Sequence, residues 1–207
     1  MIVRVYTQKH TPRPLRCPLT KPDRMASTKE LQATLPRHAP NSKHHLMDDL
    51  GRKFAIYSLV SLDKAHLQEL ERTLNTASAA HDDTDDENTS YAKLADERDF
   101  SGSTLRDVYD YHVRMRDASD WIDSLYFIVV DQEDYRGKGL LAVCLYTYDD
   151  EEENRVGVGR CGFDWAADWG VNLRIGNMDW FELKEAEHAE WGGDDPYEKD
   201  EKGVDGE

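Results

Sequence analysis

Cysteine is scarce in this chain of 207 residues, and long apolar runs are missing. Its three cysteines, Cys17, Cys144 and Cys161, have no metal-binding or redox spacing, and an odd, scattered set does not fit the disulfide framework of small secreted proteins. No stretch approaches the roughly 18 consecutive apolar residues of a membrane-spanning helix, and the apolar start at residues 1–6 is too short for a secretory signal. We therefore expect a cytoplasmic or nuclear protein that does not enter a membrane.

Motifs of catalysis and metal binding are missing too. The sequence contains no HExxH, CxxC or GxSxG pattern, and its acidic runs lack the glycine and distal glutamate of an EF-hand loop. Gly157, Gly159 and Gly162 match the GxGxxG pattern of dinucleotide-binding loops, but the segment after them is too short and acidic to receive a pyrophosphate. We interpret them as glycines of an edge strand and predict no cofactor and no bound metal.

Charge is distributed unevenly along the chain. Residues 1–53 carry 11 Lys and Arg against 4 Asp and Glu, a net charge of +7, whereas the other 154 residues carry 15 against 38, a net charge of −23. Because so acidic a body repels nucleic-acid phosphates and anionic lipid, we expect neither to bind it. For the basic arm three roles stay open: contact with nucleic acid, an organelle address, or folding back on the acidic domain.

Composition divides the chain into three parts. Residues 1–50 form a basic, mostly disordered N-terminal arm, residues 51–192 form the folded domain, and residues 193–207 form an acidic disordered tail. The folded domain contains an acidic loop insert at residues 79–102, approximately. Residues 37–49 are polar and rich in histidine, and we interpret them as a linker.

The N-terminal arm contains one short predicted helix. Four prolines between residues 12 and 22 exclude a continuous amphipathic helix before it. Ser27 and Glu30 form a capping-box pattern, which predicts a helix that Pro36 ends. Met25, followed by Ala-Ser, is also a candidate start of translation, and the sequence leaves this alternative open.

Four strands are predicted between residues 54 and 160. Residues 125–130 and 140–148 are apolar on both faces, which indicates central strands covered by helices. Residues 54–61 are rich in aromatic and β-branched side chains, and residues 155–160 alternate valine with arginine or glycine, which suits an edge. The prediction is an α/β fold: a single small domain with a mixed or antiparallel sheet of about four strands and helices packed on it.

Three helices are predicted to pack on this sheet. Residues 62–77 and 105–116 carry apolar side chains at helical spacing. Thr104 with Asp107 is the predicted cap of the second of these helices, and residues 180–190 follow Asp179, a natural N-cap. The segment 163–169 is predicted as a loop or a single helical turn.

Four segments carry a family resemblance: Phe127-Ile-Val-Val-Asp131, residues 140–145, the Arg155-Val pair and Asn172-Leu-Arg-Ile-Gly-Asn-Met-Asp-Trp180. The last resembles the NLxIxNMDF stretch of a bacterial and fungal family known only as a domain of unknown function, with Trp180 in place of the phenylalanine. The resemblance covers roughly half of the chain. It implies an α/β fold, and it implies no enzymatic activity or cofactor.

Tryptophan is concentrated near the last helix, where four of the five tryptophans fall within 27 residues. Burial of these rings in the core is the favoured interpretation. The alternative is a partly exposed aromatic patch ringed by acids, which would be a protein-binding hot spot. The residues of this candidate interaction surface are Trp165, Trp169, Asn172, Asn177, Asp179 and Trp180.

These observations favour a non-catalytic protein-interaction or regulatory module, whose acidic surface suits a basic protein partner; they predict no oligomeric state. The alternative is an enzyme whose site is assembled from the distant residues His112, Asp131, Arg155 and Cys161. Convergence of these four side chains within hydrogen-bond reach would favour the enzyme, and their scattering would favour the binding module.

Overall fold

The computed structural model describes residues 26–43, 51–81, 90–95, 98–147 and 155–192. Within these residues it contains five strands and six α-helices, so the predicted α/β class is confirmed. In chain order the elements are α1 (Thr28–Gln32), β1 (Lys53–Ser58), α2 (Lys64–His81), β2 (Ala92–Leu94), α3 (Leu105–Arg116), β3 (Ile122–Val130), α4 (Tyr135–Lys138), β4 (Leu140–Cys144), β5 (Gly157–Cys161), α5 (Ala166–Arg174) and α6 (Trp180–Trp191).

The five strands form one mixed sheet in the order β2-β1-β3-β4-β5. β1 runs parallel to both β2 and β3, whereas β4 is antiparallel to β3 and β5. Helices α2 and α3 make the two crossovers that parallel pairing requires, and the short connection through α4 permits the antiparallel pair β3–β4. The sheet is therefore parallel at one end and antiparallel at the other.

The two apolar runs of the sequence lie side by side, as predicted. Phe127 of β3 faces Val143 of β4, and every residue of both strands is buried. β3 is the middle strand, because β1 pairs with its other edge. The predicted edge strand is β5, which lies at the end of the sheet.

Helices cover both faces of the sheet. On one face, which we call the α6 face, Ile128 lies in a core with Leu74 of α2 and Leu183 of α6. On the other, the α3 face, Val129 lies in a core with Val108 of α3. Neighbouring residues of β3 thus belong to different cores, since successive strand side chains point to opposite faces.

The long helices begin close to the predicted positions. α3 has the predicted bounds, and its cap is reciprocal: the Thr104 hydroxyl accepts from the Asp107 N–H, and the Asp107 carboxylate accepts from the Thr104 N–H. Asp179 and Glu182 form the same arrangement at the start of α6. Each cap satisfies amides that have no partner within the helix. α2 starts two residues later than predicted and continues to His81.

Helix α5 is a correction to the sequence prediction. The segment predicted as a loop or single turn contains a short 3-10 turn (Phe163–Trp165) that leads directly into the nine residues of α5. No side chain caps the start of α5, so the sequence carries no signal for it. Gly170 lies in the middle of α5, where a larger residue would not fit because its Cβ would be 2.8 Å from the Phe54 ring.

Strand β2 is the second correction, because it lies inside the predicted loop insert and raises the strand number to five. It has three residues and is held by Asn75 of α2. The Asn75 side-chain oxygen accepts from the N–H groups of Tyr91 (2.8 Å) and Ala92 (2.9 Å), and its amide donates to the Ala92 carbonyl (2.9 Å). A strand of three residues is too short to show the alternation of apolar and polar side chains that predicts a strand.

Residues 26–43, which we call the N-terminal strap, contact the outer edge of β5 through residues 32–38. The N–H of Val156 donates to the Arg37 carbonyl, and the N–H of Val158 donates to the Gln32 side chain. Leu35 and Ala39 of the strap are buried. The strap therefore covers backbone groups that an edge strand would otherwise expose.

Several sequence predictions concern residues outside the described part of the chain. These are the acidic segment 82–89, the turn 149–154, the tail 193–207, the arm residues 1–25 and the linker residues 44–50. Among the described residues, no helix is long and apolar enough to cross a membrane.

Candidate functional site

His112, the first residue of the hypothetical enzyme site, is a core residue of the α3 face. Its side chain is fully buried, its Nδ1 lies 3.1 Å from the Tyr57 hydroxyl, and its ring stacks on Phe127 at 4.3 Å. Burial, reinforced by the nearby Arg116 cation, lowers the pKa of His112 to about 3. The imidazole thus stays neutral near pH 7, with no access to a substrate.

Cys161 lies on the opposite face of the sheet from His112. Its thiol is buried and donates a weak hydrogen bond to the Leu140 carbonyl at 3.7 Å. Burial raises the pKa of Cys161 to about 12. Because the sheet separates this thiol from His112, the two residues do not form a thiolate–imidazole pair.

Asp131 and Arg155 have structural contacts of their own. Asp131 binds the guanidinium of Arg160 with both oxygens, at 3.0 and 2.6 Å. Arg155 forms an isolated bridge with His38 of the N-terminal strap. The structure therefore does not bring the four residues of the hypothetical enzyme site together.

The GxGxxG glycines allow a helix to pack on β5. A Cβ on Gly157 would lie 2.5 Å from the Trp180 ring, and one on Gly159 would lie 2.2 Å from Leu183 Cδ2. Gly162 starts the 3-10 turn, and a Cβ there would meet only ordinary contacts. Gly157 and Gly159 therefore belong to a helix–strand interface on the end strand, in agreement with their interpretation as edge-strand glycines, whereas Gly162 lies just beyond the strand.

The predicted interaction residues line a groove on the α6 face. It consists of two adjoining cavities of about 350 and 270 Å³ that share Met178, and we call it the α5–α6 groove. The first is lined by Tyr126, Cys144, Tyr146, Thr147, Leu173, Gly176, Asn177, Met178, Asp179, Trp180 and Glu182. The second is lined by Arg160, Cys161, Gly162, Trp165, Asp168, Trp169, Asn172, Met178, Ala186, Glu190 and Trp191.

All six residues of the candidate interaction surface take part in this lining, three in each cavity. Trp165 is 53% exposed, whereas Trp169 and Trp180 are half-buried and also pack against the core of the α6 face. The two interpretations of the tryptophan cluster thus each describe part of it: two rings join the core and the groove, and one ring is open to solvent.

The two asparagines shape the turn between α5 and α6. The Asn172 side chain donates to the Asp168 carbonyl (2.9 Å) and its oxygen accepts from the Asn177 side chain (2.8 Å). Gly176 takes a φ of 70° in this turn, a conformation that glycine adopts without strain. The stretch that carries the family resemblance is therefore the end of α5, the turn and the N-cap of α6.

A family model for a domain of unknown function, DUF6924, matches residues 58–193. The chain belongs to this family. The match spans both helices of the groove and starts at Ser58, the last residue of β1. No curated protein and no solved structure matches the chain.

The lining of the groove in this DUF6924 domain is strongly acidic. Asp168, Asp179, Glu182 and Glu190 contribute to it, and the single basic residue among those lining it, Arg160, already binds Asp131. The four carboxylates therefore create a negative potential over an aromatic surface.

Sequence reasoning missed several residues of the groove. Tyr126 and Cys144 come from central strands, and their place in the lining follows from the sheet and not from the sequence near α6. Met178 lines both cavities. A flexible methionine within an aromatic cluster is typical of adaptable binding surfaces, so its position in the sequence could have indicated that it belongs to the site. Trp191, at the end of α6, belonged to the tryptophan cluster but not to the predicted site.

A second crevice of about 670 Å³ lies where the strand order reverses, at the carboxyl ends of β1 and β3. Open α/β sheets often bind ligands at this position. Three of its ionisable side chains are paired: His66 with Asp63, and Arg136 with Glu69, each at 2.9 Å. Within the described residues, no three His, Cys, Asp or Glu side chains are grouped to hold a metal ion.

Proposed function

We propose that this protein is a non-catalytic interaction module whose α5–α6 groove binds a protein segment that carries apolar and basic side chains. One observation carries the proposal: the groove combines a solvent-open aromatic surface with four carboxylates, and its one basic lining residue is already paired. In addition, Cys161 and His112 of the alternative enzyme site lie on opposite faces of the sheet.

Aromatic surface supplies the binding energy in this proposal. Trp165 is 53% exposed, and tryptophan is among the residues most enriched at binding hot spots. Covering the exposed half of such a ring removes about 100 Å² from water, which corresponds to about 2–3 kcal/mol at the usual coefficient. A proline or leucine side chain of a partner would provide such a cover.

Acidic residues supply selectivity. Carboxylates at the groove favour Lys or Arg in the partner, accelerate association and make it sensitive to salt. The same charge disfavours nucleic acid and anionic lipid at this surface. The partner is therefore proposed to be a basic protein.

We further propose that the module acts in a reducing compartment, the cytoplasm or the nucleus. Cys144 and Cys161 are both free and buried, which is usual where thiols are kept reduced. A regulatory role follows if the bound segment belongs to a protein whose activity changes when that segment is covered.

The test uses the full chain and a library of random dodecapeptides. We expect selected peptides to contain Lys or Arg next to proline or a large apolar residue, and to bind at least tenfold more weakly when Trp165→Ala or Glu190→Gln is introduced. Phe181→Ala is the matched aromatic control, because Phe181 lies on α6 and is 41% exposed but does not line the groove. Asp120→Asn, an exposed acid on another loop, is the charge control.

Two results would contradict the proposal. One is selection of peptides without basic residues. The other is equal binding of selected peptides to the wild type and to Trp165→Ala, with weaker binding to Phe181→Ala.

A further inference from the structure

Assuming the proposed function of the α5–α6 groove, we propose that its occupant within the same molecule is the basic N-terminal arm, residues 1–25. The arm then competes with partner segments and lowers their affinity. Three observations support this assignment: the place where the arm joins the domain, its charge, and its proline content.

The arm joins the domain at the helix that forms one wall of the groove. The Thr28 hydroxyl donates to Glu187 of α6 at 2.5 Å and accepts from Lys184 at 3.0 Å. Thr28 is buried in this contact. Residue 25 is therefore three positions from a residue fixed on α6.

The opposite flank of α6 faces the groove. Glu182, Ala186 and Glu190, spaced four residues apart and so aligned along the helix, line its two cavities. A helix with its side chains is about 10–12 Å across. The arm therefore starts about one helix diameter from the groove.

Charge favours this contact. Residues 1–25 contain six Lys and Arg against one acid, Asp23, for a net charge of +5. The groove is lined by four carboxylates and one paired arginine. The two surfaces are thus complementary, and their attraction is screened by salt.

The prolines of the arm favour an extended conformation that would fit along the groove. Prolines at positions 12, 14, 18 and 22 disfavour helix and favour the extended polyproline II conformation, which docks in aromatic-lined grooves at low entropic cost. Residues 12–19 would span about 25 Å in this conformation, compared with about 18 Å for the twelve residues of α6. The residues that follow, up to 27, reach about 25 Å when extended, enough to pass around α6.

Tethering makes even a weak contact effective. A short flexible linker gives an effective concentration of about 1 mM. If the free segment bound with a Kd of about 0.1 mM, the tethered arm would occupy the groove about 90% of the time and weaken a competing peptide about tenfold.

The experiment labels Cys17 of the full chain with a nitroxide and maps line broadening of backbone amides by NMR. Selective labelling is feasible because burial raises the pKa of Cys144 and of Cys161 to about 12, so neither is a thiolate at neutral pH. We expect broadening to concentrate on α5, the turn and α6, and to disappear in about 0.5 M salt, roughly three times the physiological ionic strength.

Charge reversal provides the matched comparison. Arg13→Glu/Arg16→Glu is expected to abolish the broadening and to strengthen binding of library-selected peptides about tenfold. Lys93→Glu/Arg114→Glu changes the net charge equally, at exposed residues away from the groove, and should change neither measurement.

The outcomes separate this inference from the proposed function. Broadening that is absent, or concentrated on another surface, overturns the arm's assignment, and the proposed function stands if selected peptides still bind the groove. Broadening at the groove without peptide binding supports the arm as occupant and contradicts a partner in trans. If neither line broadening nor peptide binding occurs at the groove, both the arm's assignment and the proposed function are contradicted.

Discussion

Gly159 is the position where one added methyl group tests the packing of α6 on β5 most directly. In Gly159→Ala the new Cβ would lie 2.2 Å from Leu183 Cδ2, whereas ordinary contacts begin at about 3.4 Å. Leu183 is completely buried, so its side chain can move only by displacing neighbours in a close-packed core. We expect α6 to move away from the strand by about 1 Å.

The expected loss of stability is moderate. Overpacking of a close-packed core costs about 1–3 kcal/mol, and replacing glycine by alanine in a strand returns about 0.5–1 kcal/mol of unfolded-state entropy. The free energy of unfolding should therefore fall by about 1–2 kcal/mol. With a urea m-value of about 2 kcal/mol per molar, the midpoint would shift by about 0.5–1 M.

A second substitution makes this test specific. Leu183→Ala alone should cost about 2–5 kcal/mol by leaving a cavity. In Gly159→Ala/Leu183→Ala the added methyl occupies part of that cavity and no longer clashes, so the combined cost should be at least about 1 kcal/mol below the sum of the single costs. Urea unfolding followed by tryptophan fluorescence measures all four proteins.

Gly162→Ala is the control, since a Cβ there would lie 3.4 Å from the Trp165 ring, an ordinary contact, and its stability should stay within about 0.5 kcal/mol of wild type. The reasoning is refuted if Gly159→Ala is as stable as wild type, or if the two substitutions are additive.

Three further predictions concern buried polar groups. Asp131→Ala leaves the buried guanidinium of Arg160 without its carboxylate and should cost about 3–5 kcal/mol in urea unfolding, whereas Asp131→Leu/Arg160→Met should cost less; a cost below 1 kcal/mol for Asp131→Ala would contradict the ion pair. The pKa of His112 is about 3 in the folded protein against 6.5 ordinarily, so between these values the unfolded state binds one more proton and stability falls as the pH is lowered. His112→Asn should reduce that slope by up to about 1.4 kcal/mol per pH unit between pH 6 and 4, and an unchanged slope would show that other groups cause it. In Cys17→Ser, a thiol reagent should detect no thiol in the native protein at pH 8 and two in denaturant, because Cys144 and Cys161 are buried; immediate reaction of either would disprove its burial.

Local sequence signals predicted those parts of the fold whose stabilising contacts are themselves local or strongly apolar. The caps at Thr104 and Asp179 placed the starts of α3 and α6, because the capping side chain and its amide are three residues apart. The continuous apolar runs placed β3 and β4, since burial on both faces removes the need for alternation.

Elements that are stabilised by residues distant in the sequence could not be predicted from local sequence patterns. β2 depends on Asn75, 17 residues before Ala92, and α5 has no cap and contains a glycine that fits the Phe54 ring. The strap contacts the edge at β5, more than 110 residues later, with the Arg37 carbonyl and the Gln32 side chain, and neither contact has a sequence signature.

The candidate site was predictable in composition but not in shape. Clustered tryptophans and the Asn172–Trp180 stretch indicated which residues belong together, because α5 and α6 are adjacent in sequence. The groove itself also depends on Tyr126 and Cys144 of the central strands. Their contribution required the order of the strands, which follows from the crossovers and not from any single segment.

The position of β1 bears on how members of this family are produced as recombinant fragments. Similarity to the family model begins at residue 58, yet β1 (Lys53–Ser58) lies between β2 and β3. A fragment started at that boundary would leave β2 without its neighbour and turn the middle strand of the sheet into an open edge, prone to pairing with other chains. A fragment that starts before Lys53 keeps β3 paired on both sides, and one that starts before Ser27 also keeps the strap on the outer edge of β5.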